Sequence, residues 1–133
     1  MHQTTYGLFK NIQALQTTVG KMLGTDFTNA KEAYRIKRLG DEVELHFNTF
    51  RERFAMIQGD AEWEATEDAE GKNIPMPERV ATNQDVLDTK IKELFLENIE
   101  FKWAPIPEET LEKMHLAPAD FETLCYFIEE DKF

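Results

Sequence analysis

Residues 29–59 have the most regular pattern in the chain, NAKEAYRIKRLGDEVELHFNTFRERFAMIQG. Apolar or small residues recur there at alternating spacings of three and four, the repeat of one helix face. These positions are Ala33, Ile36, Gly40, Val43, Phe47, Phe50, Phe54 and Ile57. Asn29 followed three residues later by Glu32 is typical of an N-cap and capping box, and Gly59 supplies a stop. The pattern predicts a long helix from about Asn29 to Gln58.

The segment before this helix predicts a partner for it. Apolar residues recur there at spacings of four, three, four and three, at Leu8, Ile12, Leu15, Val19 and Met22. A helix is therefore predicted from about Thr5 to Leu23, ending at Gly24, and residues 25–28 suit a tight turn. The two stripes would then face each other in an antiparallel hairpin. Gly40, which lacks a side chain, would let the helices approach closely, at about 1 kcal/mol of helix propensity relative to Ala.

The middle of the chain, residues 60–81, is acidic and lacks the helical period. Five carboxylates surround Trp63 and Gly71, at Glu62, Glu64, Glu67, Asp68 and Glu70. A mobile acidic loop and a small β-hairpin both fit this composition. We favour a hairpin that pairs residues 62–66 with 72–76 across a turn ending at Gly71, because Trp63, Ile74 and Met76 give it apolar surface to bury. Pro75 and Pro77 would restrict it to a sheet edge.

Residues 82–133 predict a third helix, a short strand and two short helices. Asn83 is the expected cap of the third helix, which ends near Glu97. Apolar residues then alternate with charged ones over residues 99–103, which predicts a half-buried strand that could pair with the proposed hairpin. Pro107 and Pro118 are placed to begin the two short helices.

Together these elements predict a mostly α protein with a small β element. The 133 residues match the common size of one domain, roughly 100 to 150 residues. We expect a single domain, 1–133, made of a helical hairpin (1–59), an acidic loop or β-hairpin (60–81), and a helix, a short strand and two short helices (82–133).

Charge is distributed unevenly along this chain. The formal net charge is −11, with a balance of +2 over residues 1–59 and −13 over residues 60–133. An acidic second half disfavours direct binding of nucleic acid. No apolar run approaches the 18 residues of a membrane span, and the amino terminus lacks the pattern of a secretory signal. One cysteine, Cys125, is consistent with a reducing compartment.

Sequence motifs of catalysis are absent, and the metal-ligand patterns are incomplete. Glu112 and His115 have the Glu-x-x-His spacing that places both side chains on one helix face, but a di-iron site needs two such motifs and two further glutamates. Glu42 and His46 are a second pair, beside the apolar stripe. Cys125 has no basic neighbour and is expected to be a small buried apolar residue. We expect no enzymatic activity, no cofactor and no metal.

Partner binding is therefore the expected function, and two groups of residues are candidates for it. Trp63 and Trp103 are of the residue type that dominates protein interfaces. Glu64, Glu67, Asp68 and Glu70 could instead imitate the phosphates of a nucleic acid and occupy a basic groove on another protein. Further carboxylates at Glu108, Glu109, Glu112, Glu129, Glu130 and Asp131 would extend that acidic surface. The basic residues of the long helix are expected to be its solvated flanks.

The carboxyl-terminal part contains several short motifs whose order can be compared with that of a known group of proteins. Residues 97–103, Ile106-Pro107, residues 116–120 and residues 127–130 together resemble the ending of short, uncharacterised helical proteins of tailed bacteriophages. Their general layout is also similar, with a helical hairpin, an acidic insert, a third helix and a short strand. The resemblance implies a phage protein that acts in the cytoplasm of the infected bacterium or in the virion, and it implies no catalytic residue.

Two functions follow as expectations. The first is a non-enzymatic assembly or adaptor module, which could also form a homo-oligomer because a two-helix hairpin covers only one side of Val43, Phe47 and Phe50. The second is an acidic phage inhibitor of a host nucleic-acid enzyme or defence system, acting by nucleic-acid mimicry.

Overall fold

A computed structural model of the protein describes residues 2–128. Two short strands and five α-helices lie in this range, accompanied by 3₁₀ turns. They are β1 (His2–Thr5), α1 (Ile12–Leu23), α2 (Ala30–Gly59), α3 (Gln84–Leu96), β2 (Asn98–Phe101), α4 (Glu108–Glu112) and α5 (Pro118–Thr123). The architecture confirms a mostly α fold with a long helix and a small β element.

Helix α2 begins and ends within one residue of the predicted positions. The Asn29 side chain caps it by accepting hydrogen bonds from the backbone N–H groups of Lys31 and Glu32, at 2.9 and 3.4 Å. Glu32 itself points toward α4, where its carboxylate accepts hydrogen bonds from Thr110 (2.9 Å) and Lys113. The N-cap prediction is confirmed, while the carboxylate of the expected capping box joins α2 to α4.

The predicted antiparallel packing of α1 against α2 is present. Phe9, just before α1, has its ring 5.4 Å from that of Phe47, while Leu23 at the other end of α1 lies against Gly40. A Cβ on Gly40 would come within 3.0 Å of Leu23 Cδ2. The missing side chain at Gly40 therefore allows the close approach that the sequence predicted.

The prediction of helix for the amino-terminal part of the first element is wrong. Residues 2–5 form β1 and residues 6–11 form a 3₁₀ turn, so the α-helix begins only at Ile12. Two features account for the change: the Thr5 hydroxyl accepts a hydrogen bond from Gly7 N–H, and β1 pairs with β2. Tertiary strand pairing thus prevails over the helical spacing of this segment.

Strand β2 pairs with β1 and not with the middle segment, which corrects a second expectation. The pairing is antiparallel, with Gln3 opposite Glu100 and Thr4 opposite Ile99. Ile99 and Phe101 are buried while Asn98 and Glu100 are exposed, so the predicted alternation is confirmed. The partner strand lies about one hundred residues away in the chain, where no local pattern could identify it.

The carboxyl-terminal helices begin at the predicted prolines. Pro107 precedes α4 and Pro118 is the first residue of α5, which a 3₁₀ turn continues to Phe127. The nearly buried carboxylate of Asp120 joins α5 to α1, accepting hydrogen bonds from Thr18 Oγ1 (3.0 Å), Lys21 Nζ (2.8 Å) and Ala117 N–H (2.8 Å). These bonds, with Lys21 contributing most, lower the pKa of Asp120 below its ordinary value.

One hydrophobic cluster joins the hairpin to the carboxyl-terminal elements. Leu39, Phe101, Leu124 and Phe127 are completely buried within it. Phe50 has ring contacts with Tyr6, Phe9, Phe54 and Phe95, at centroid distances of 5.3 to 5.8 Å. The side of Phe50 that the hairpin leaves open is therefore covered within one chain, which removes that residue as a reason to expect self-association.

Candidate interaction surfaces

The two predicted tryptophans lie near opposite ends of α2. Trp103 packs against Tyr34, in the second turn of the helix, whereas Trp63 follows the last helical residue, Gly59, by four positions. Twenty-five residues separate Tyr34 from Gly59, or about 37 Å of helix at 1.5 Å per residue. Trp63 and Trp103 therefore belong to two separate surfaces, whereas the expected pairing of residues 99–103 with the hairpin would have placed them together.

The first surface consists of Tyr34, Arg38, Lys102 and Trp103, and we call it the aromatic–cation surface. The Tyr34 and Trp103 rings meet edge to face, with centroids 5.4 Å apart and planes at 85°. The Arg38 guanidinium lies 5.1 Å from the centre of the Tyr34 ring, and its Nε donates a 3.0 Å hydrogen bond to the tyrosine hydroxyl. Lys102 Nζ lies 5.4 Å from the centre of the Trp103 ring. Tyr34 is 51% exposed, so an aromatic side chain with neighbouring cations is accessible here.

The polar side of α2 holds the backbone beneath this surface. The Glu42 carboxylate accepts hydrogen bonds from the N–H groups of Lys102 (2.7 Å) and Trp103 (2.9 Å). Arg35 donates to the carbonyl oxygens of Trp103 (3.2 Å) and Pro105 (3.0 Å). His46 Nε2 also donates to the carbonyl of Glu100, at 2.9 Å. Trp103 is thus presented on a backbone that is fixed at both its N–H and its carbonyl.

Two sequence interpretations are corrected by these contacts. Arg35 is not merely a solvated flank of α2, because its guanidinium binds two backbone carbonyls. Glu42 and His46, considered above as a metal-ligand pair, both bind the backbone of the β2 region. The only local signal was the i, i+4 spacing of Glu42 and His46, which places both on the helix side facing β2.

The second surface is the acidic segment, residues 60–81, whose predicted turn is present. Gly71 ends it with a φ of 81°, and Gly71 N–H donates to the carbonyl of Asp68 at 3.0 Å. The Asp68 side chain accepts hydrogen bonds from the N–H groups of Glu70 (2.9 Å) and Lys72 (3.0 Å). Asp68, predicted as a partner-binding carboxylate, therefore also shapes its own loop.

The hairpin beyond this turn differs from the prediction. Residue 67 bridges residue 73, close to the expected register, but Trp63 bridges Ala81 and not a residue of 72–76. Within residues 60–81 these are isolated bridges and not full strands. Pro75 and Pro77 explain the break, because neither has an N–H to donate and Met76–Glu78 forms a 3₁₀ turn. Met76, expected to be buried, is 58% exposed.

The side chains of the acidic segment are mostly open to solvent. Glu64, Glu67, Asp68 and Glu70 are all exposed, and Lys72 lies 3.9 Å from Glu70. Trp63 is half-buried, and the Arg79 guanidinium lies 5.9 Å from the centre of its ring. Arg79 also donates to the Ile74 carbonyl, at 2.9 Å. The predicted carboxylates thus lie on one loop whose backbone is hydrogen-bonded, with Trp63 at its base.

Other sequence candidates contribute no converging site. Helix α4 ends at Glu112, so His115 lies beyond it and the predicted Glu-x-x-His helix face does not form. Cys125 is exposed, contrary to expectation. Within residues 2–128, no cluster of three or more His, Cys, Asp or Glu is arranged to hold a metal ion. Glu129, Glu130 and Asp131 lie outside the described residues.

Comparison of the chain with known protein families, curated proteins and solved structures found no match. None of the helices in residues 2–128 combines the length and the apolar character needed to cross a bilayer.

Proposed function

We propose that this chain is a non-enzymatic protein-interaction module with an assembly or adaptor role, which binds its protein partner through the aromatic–cation surface. The observation that carries the proposal is the half-exposed Tyr34 packed on Trp103. Tyrosine, tryptophan and arginine are the residue types enriched at interface hot spots. Three of the four residues of this surface are of those types.

Preorganisation supports the same surface. Glu42 and Arg35 fix the backbone of Trp103 before any partner arrives. Binding to a preformed surface avoids much of the entropy lost when flexible groups are ordered. Trp63 and Trp103 are both half-buried beside a cation, but Trp63 has a weaker claim because it lies on a loop whose tip is exposed and which has, within the described residues, no comparable attachment to α2.

The bacteriophage setting of this module is proposed from the motifs in residues 97–130, whose order resembles the ending of short phage proteins. We propose that the protein acts in the cytoplasm of an infected bacterium or in the virion. Its partner would be a viral or host protein.

Substitution of Tyr34 tests the proposal directly. Affinity-tagged wild-type protein, Tyr34→Ala and the control Val86→Ala are incubated with lysate of infected bacteria, and retained proteins are identified by mass spectrometry. Val86 is exposed to a similar degree, at 52%, but lies on α3. A partner retained by the wild type and Val86→Ala should be reduced about tenfold or more with Tyr34→Ala. Equal retention by all three proteins would rule out this surface.

The acidic segment supports a second candidate, an inhibitor that imitates nucleic acid in the groove of a host enzyme or defence protein. Hydrogen bonds of Asp68 and of the 66–74 backbone shape the loop that carries the exposed Glu67 and Glu70, and Glu64 lies just before it. Such a contact depends on salt, because the exposed charges are screened within about 8 to 10 Å.

Salt and charge reversal distinguish the two candidates. If the acidic segment binds, raising salt should release the partner, and changing Glu64, Glu67 and Glu70 together to Lys should abolish capture. Tyr34→Ala should then have little effect. If the aromatic–cation surface binds, capture should persist at high salt and the triple variant should behave as the wild type.

A further inference from the structure

Three large apolar side chains of α2 are open to solvent. Tyr34, Leu45 and Met56 are 51%, 64% and 72% exposed. They are spaced eleven residues apart, which is close to three turns of a helix with about 3.6 residues per turn. The three side chains therefore lie along one face of α2, over about 33 Å of its length.

This face is opposite the face that packs into the core. Each of its three apolar residues has a core residue two positions away in the chain, and these are Ile36, Val43 and Phe54. Two positions along a helix correspond to a rotation of about 200°. The exposed apolar residues are therefore separated from the stripe that folds the hairpin and serve no packing within their own chain.

Two side chains of opposite charge lie on the same face. Arg38 and Glu52 are both exposed, and each is seven residues, or about two turns, from Leu45. We call this face the α2 ridge, and it consists of Tyr34, Arg38, Leu45, Glu52 and Met56. Tyr34 and Arg38 also belong to the aromatic–cation surface, so the inference below rests on the proposed function and names the partner of that surface.

Both charges of the α2 ridge remain able to bind a partner. Arg38 Nε donates to the Tyr34 hydroxyl, and its Nη1 lies 4.0 Å from Asp41, whose other oxygen accepts from Lys37 at 2.6 Å. The other N–H groups of the guanidinium are left to bind a carboxylate. Within residues 2–128, the Glu52 side chain forms no ion pair or hydrogen bond.

We propose that the α2 ridge binds the α2 ridge of a second copy of this chain, in an antiparallel symmetric dimer whose two-fold axis passes beside Leu45. The spacing makes the ridge complementary to itself. Arg38 and Glu52 lie seven residues on either side of Leu45, so each meets the other across the axis. Tyr34 and Met56 lie eleven residues on either side and meet in the same way.

Each contact of this register brings together groups that attract. Leu45 packs on Leu45 of the second copy, and the Arg38 guanidinium can bind the Glu52 carboxylate with two hydrogen bonds. The Met56 thioether packs on the Tyr34 ring, a favourable contact of sulfur with an aromatic group. Every contact except the central one occurs twice. A parallel arrangement would instead oppose arginine to arginine and glutamate to glutamate, so the charge pattern selects the antiparallel one.

Charge along the chain favours this helix as the place where two copies meet. Residues 60–133 carry a balance of −13, whereas residues 30–59 contain six Lys or Arg and five Asp or Glu. Two chains of net charge −11 repel each other least where a nearly neutral helix faces its own copy. The α2 ridge also supplies both halves of its charge and apolar pattern in matching register, which an unrelated partner would have to reproduce.

Sedimentation equilibrium of the full chain across the micromolar range tests the proposal, with Arg38→Glu, Glu52→Arg and the variant that carries both changes. Each single change opposes like charges at both ends of the interface and should weaken the dimer at least about tenfold. The double variant should restore the wild-type Kd. Arg38 and Glu52 are about 21 Å apart along one helix, so this restoration cannot arise within one chain. Net charge alone would make Glu52→Arg strengthen the dimer, because it lowers the mutual repulsion of the two chains.

A matched pair of leucine variants tests the centre of the interface. Leu45→Arg places two cations together at the two-fold axis and should also weaken the dimer at least about tenfold. Leu96→Arg is the control, because Leu96 is 73% exposed but lies at the end of α3. It should dimerise as the wild type does. Thermal melts followed by circular dichroism confirm that every variant folds.

Three outcomes would overturn the dimer: a wild-type protein that stays monomeric over the whole range, a double variant no stronger than the single ones, or equal weakening by Leu45→Arg and Leu96→Arg. A monomeric wild type whose capture of another protein still depends on Tyr34 would overturn the dimer alone and leave the proposed function standing. The expected charge response, together with capture of other proteins that Tyr34→Ala leaves unchanged, would support the dimer and contradict the proposed function.

Discussion

The acidic segment, residues 60–81, and the carboxyl-terminal segment, residues 98–128, each contain one tryptophan, but they are stabilised differently. The carboxyl-terminal segment buries Phe101, Leu124 and Phe127 in the core and is joined to α1 and α2 through Asp120 and Glu42. The acidic segment is held mainly by its own backbone hydrogen bonds, and residues 64–73 are all exposed.

This difference predicts whether each segment unfolds locally or only together with the whole protein. Regions with few buried apolar contacts open locally, at a free energy below that of global unfolding. The carboxyl-terminal segment should unfold only with the whole protein, and the acidic segment should open by itself. A partner that binds Trp103 therefore meets a rigid surface, and one that binds Glu64 or Glu67 meets a loop that can adapt.

Truncation of Phe101 should have the largest effect. Its ring is fully buried and lies 5.0 Å from Phe127 and 4.8 Å from the His46 ring. Phe101→Ala should reduce the free energy of unfolding by about 3 to 5 kcal/mol, measured by urea denaturation. The contrasting variant Val80→Ala, at a 59% exposed site of the acidic segment, should change it by less than about 0.5 kcal/mol. Similar losses of unfolding free energy from both variants would contradict the difference in stability between the two segments.

Asp120 should make the attachment of the carboxyl-terminal segment depend on pH. Its folded-state pKa lies below the ordinary value of 3.8, so its stabilising contribution is present above that value and is lost as pH falls through the folded pKa. Asp120→Asn should therefore lower Tm most near neutral pH, and the difference from wild type should shrink below about pH 4.

The control for Asp120 is Glu122→Gln, at an exposed position of the same helix. Its Tm should follow that of the wild type at each pH. A wild-type advantage over Asp120→Asn that is the same at acid and neutral pH would show that ionisation of Asp120 contributes nothing.

Removal of the Glu42 charge should have a moderate effect. Glu42→Gln keeps one acceptor oxygen but replaces the other with an amide group that cannot accept from the backbone N–H it faces. A loss of about 1 to 3 kcal/mol is expected from urea denaturation, as for a hydrogen bond to a charged group. Glu44→Gln, an exposed position on the same helix, should be nearly neutral. Faster amide exchange at Lys102 and Trp103 would show that the lost stability comes from their hydrogen bonds to residue 42.

Substitution at Gly71 should have the smallest effect on the whole protein. Its φ of 81° is strained for any residue with a side chain, so Gly71→Ala should cost about 1 to 2 kcal/mol within the loop. Proteolysis at residues 66–74 and amide exchange there should accelerate, while the global Tm stays unchanged. A fall in Tm equal to that of a core substitution would mean that the acidic segment unfolds together with the core.

Local chemistry made part of this structure predictable. The bounds of α2 follow from a sustained period and from Asn29 and Gly59, and the turn at Gly71 follows from a residue that tolerates positive φ. Of the aromatic–cation surface, the sequence identified Trp103 alone. Tyr34, Arg38 and Lys102 look like ordinary surface residues until α2 and the residue after β2 are brought together.

The sequence by itself determined the helical hairpin, the buried alternation of β2 and the separation of charge between the two halves of the chain. Each depends on neighbouring residues, through the helical period, the strand period or composition. Only the tertiary structure decided that residues 2–5 form a strand, that β2 pairs with them, and that Trp63 and Trp103 lie apart. These features depend on contacts between distant residues, whose free energy appears only when the chain has folded.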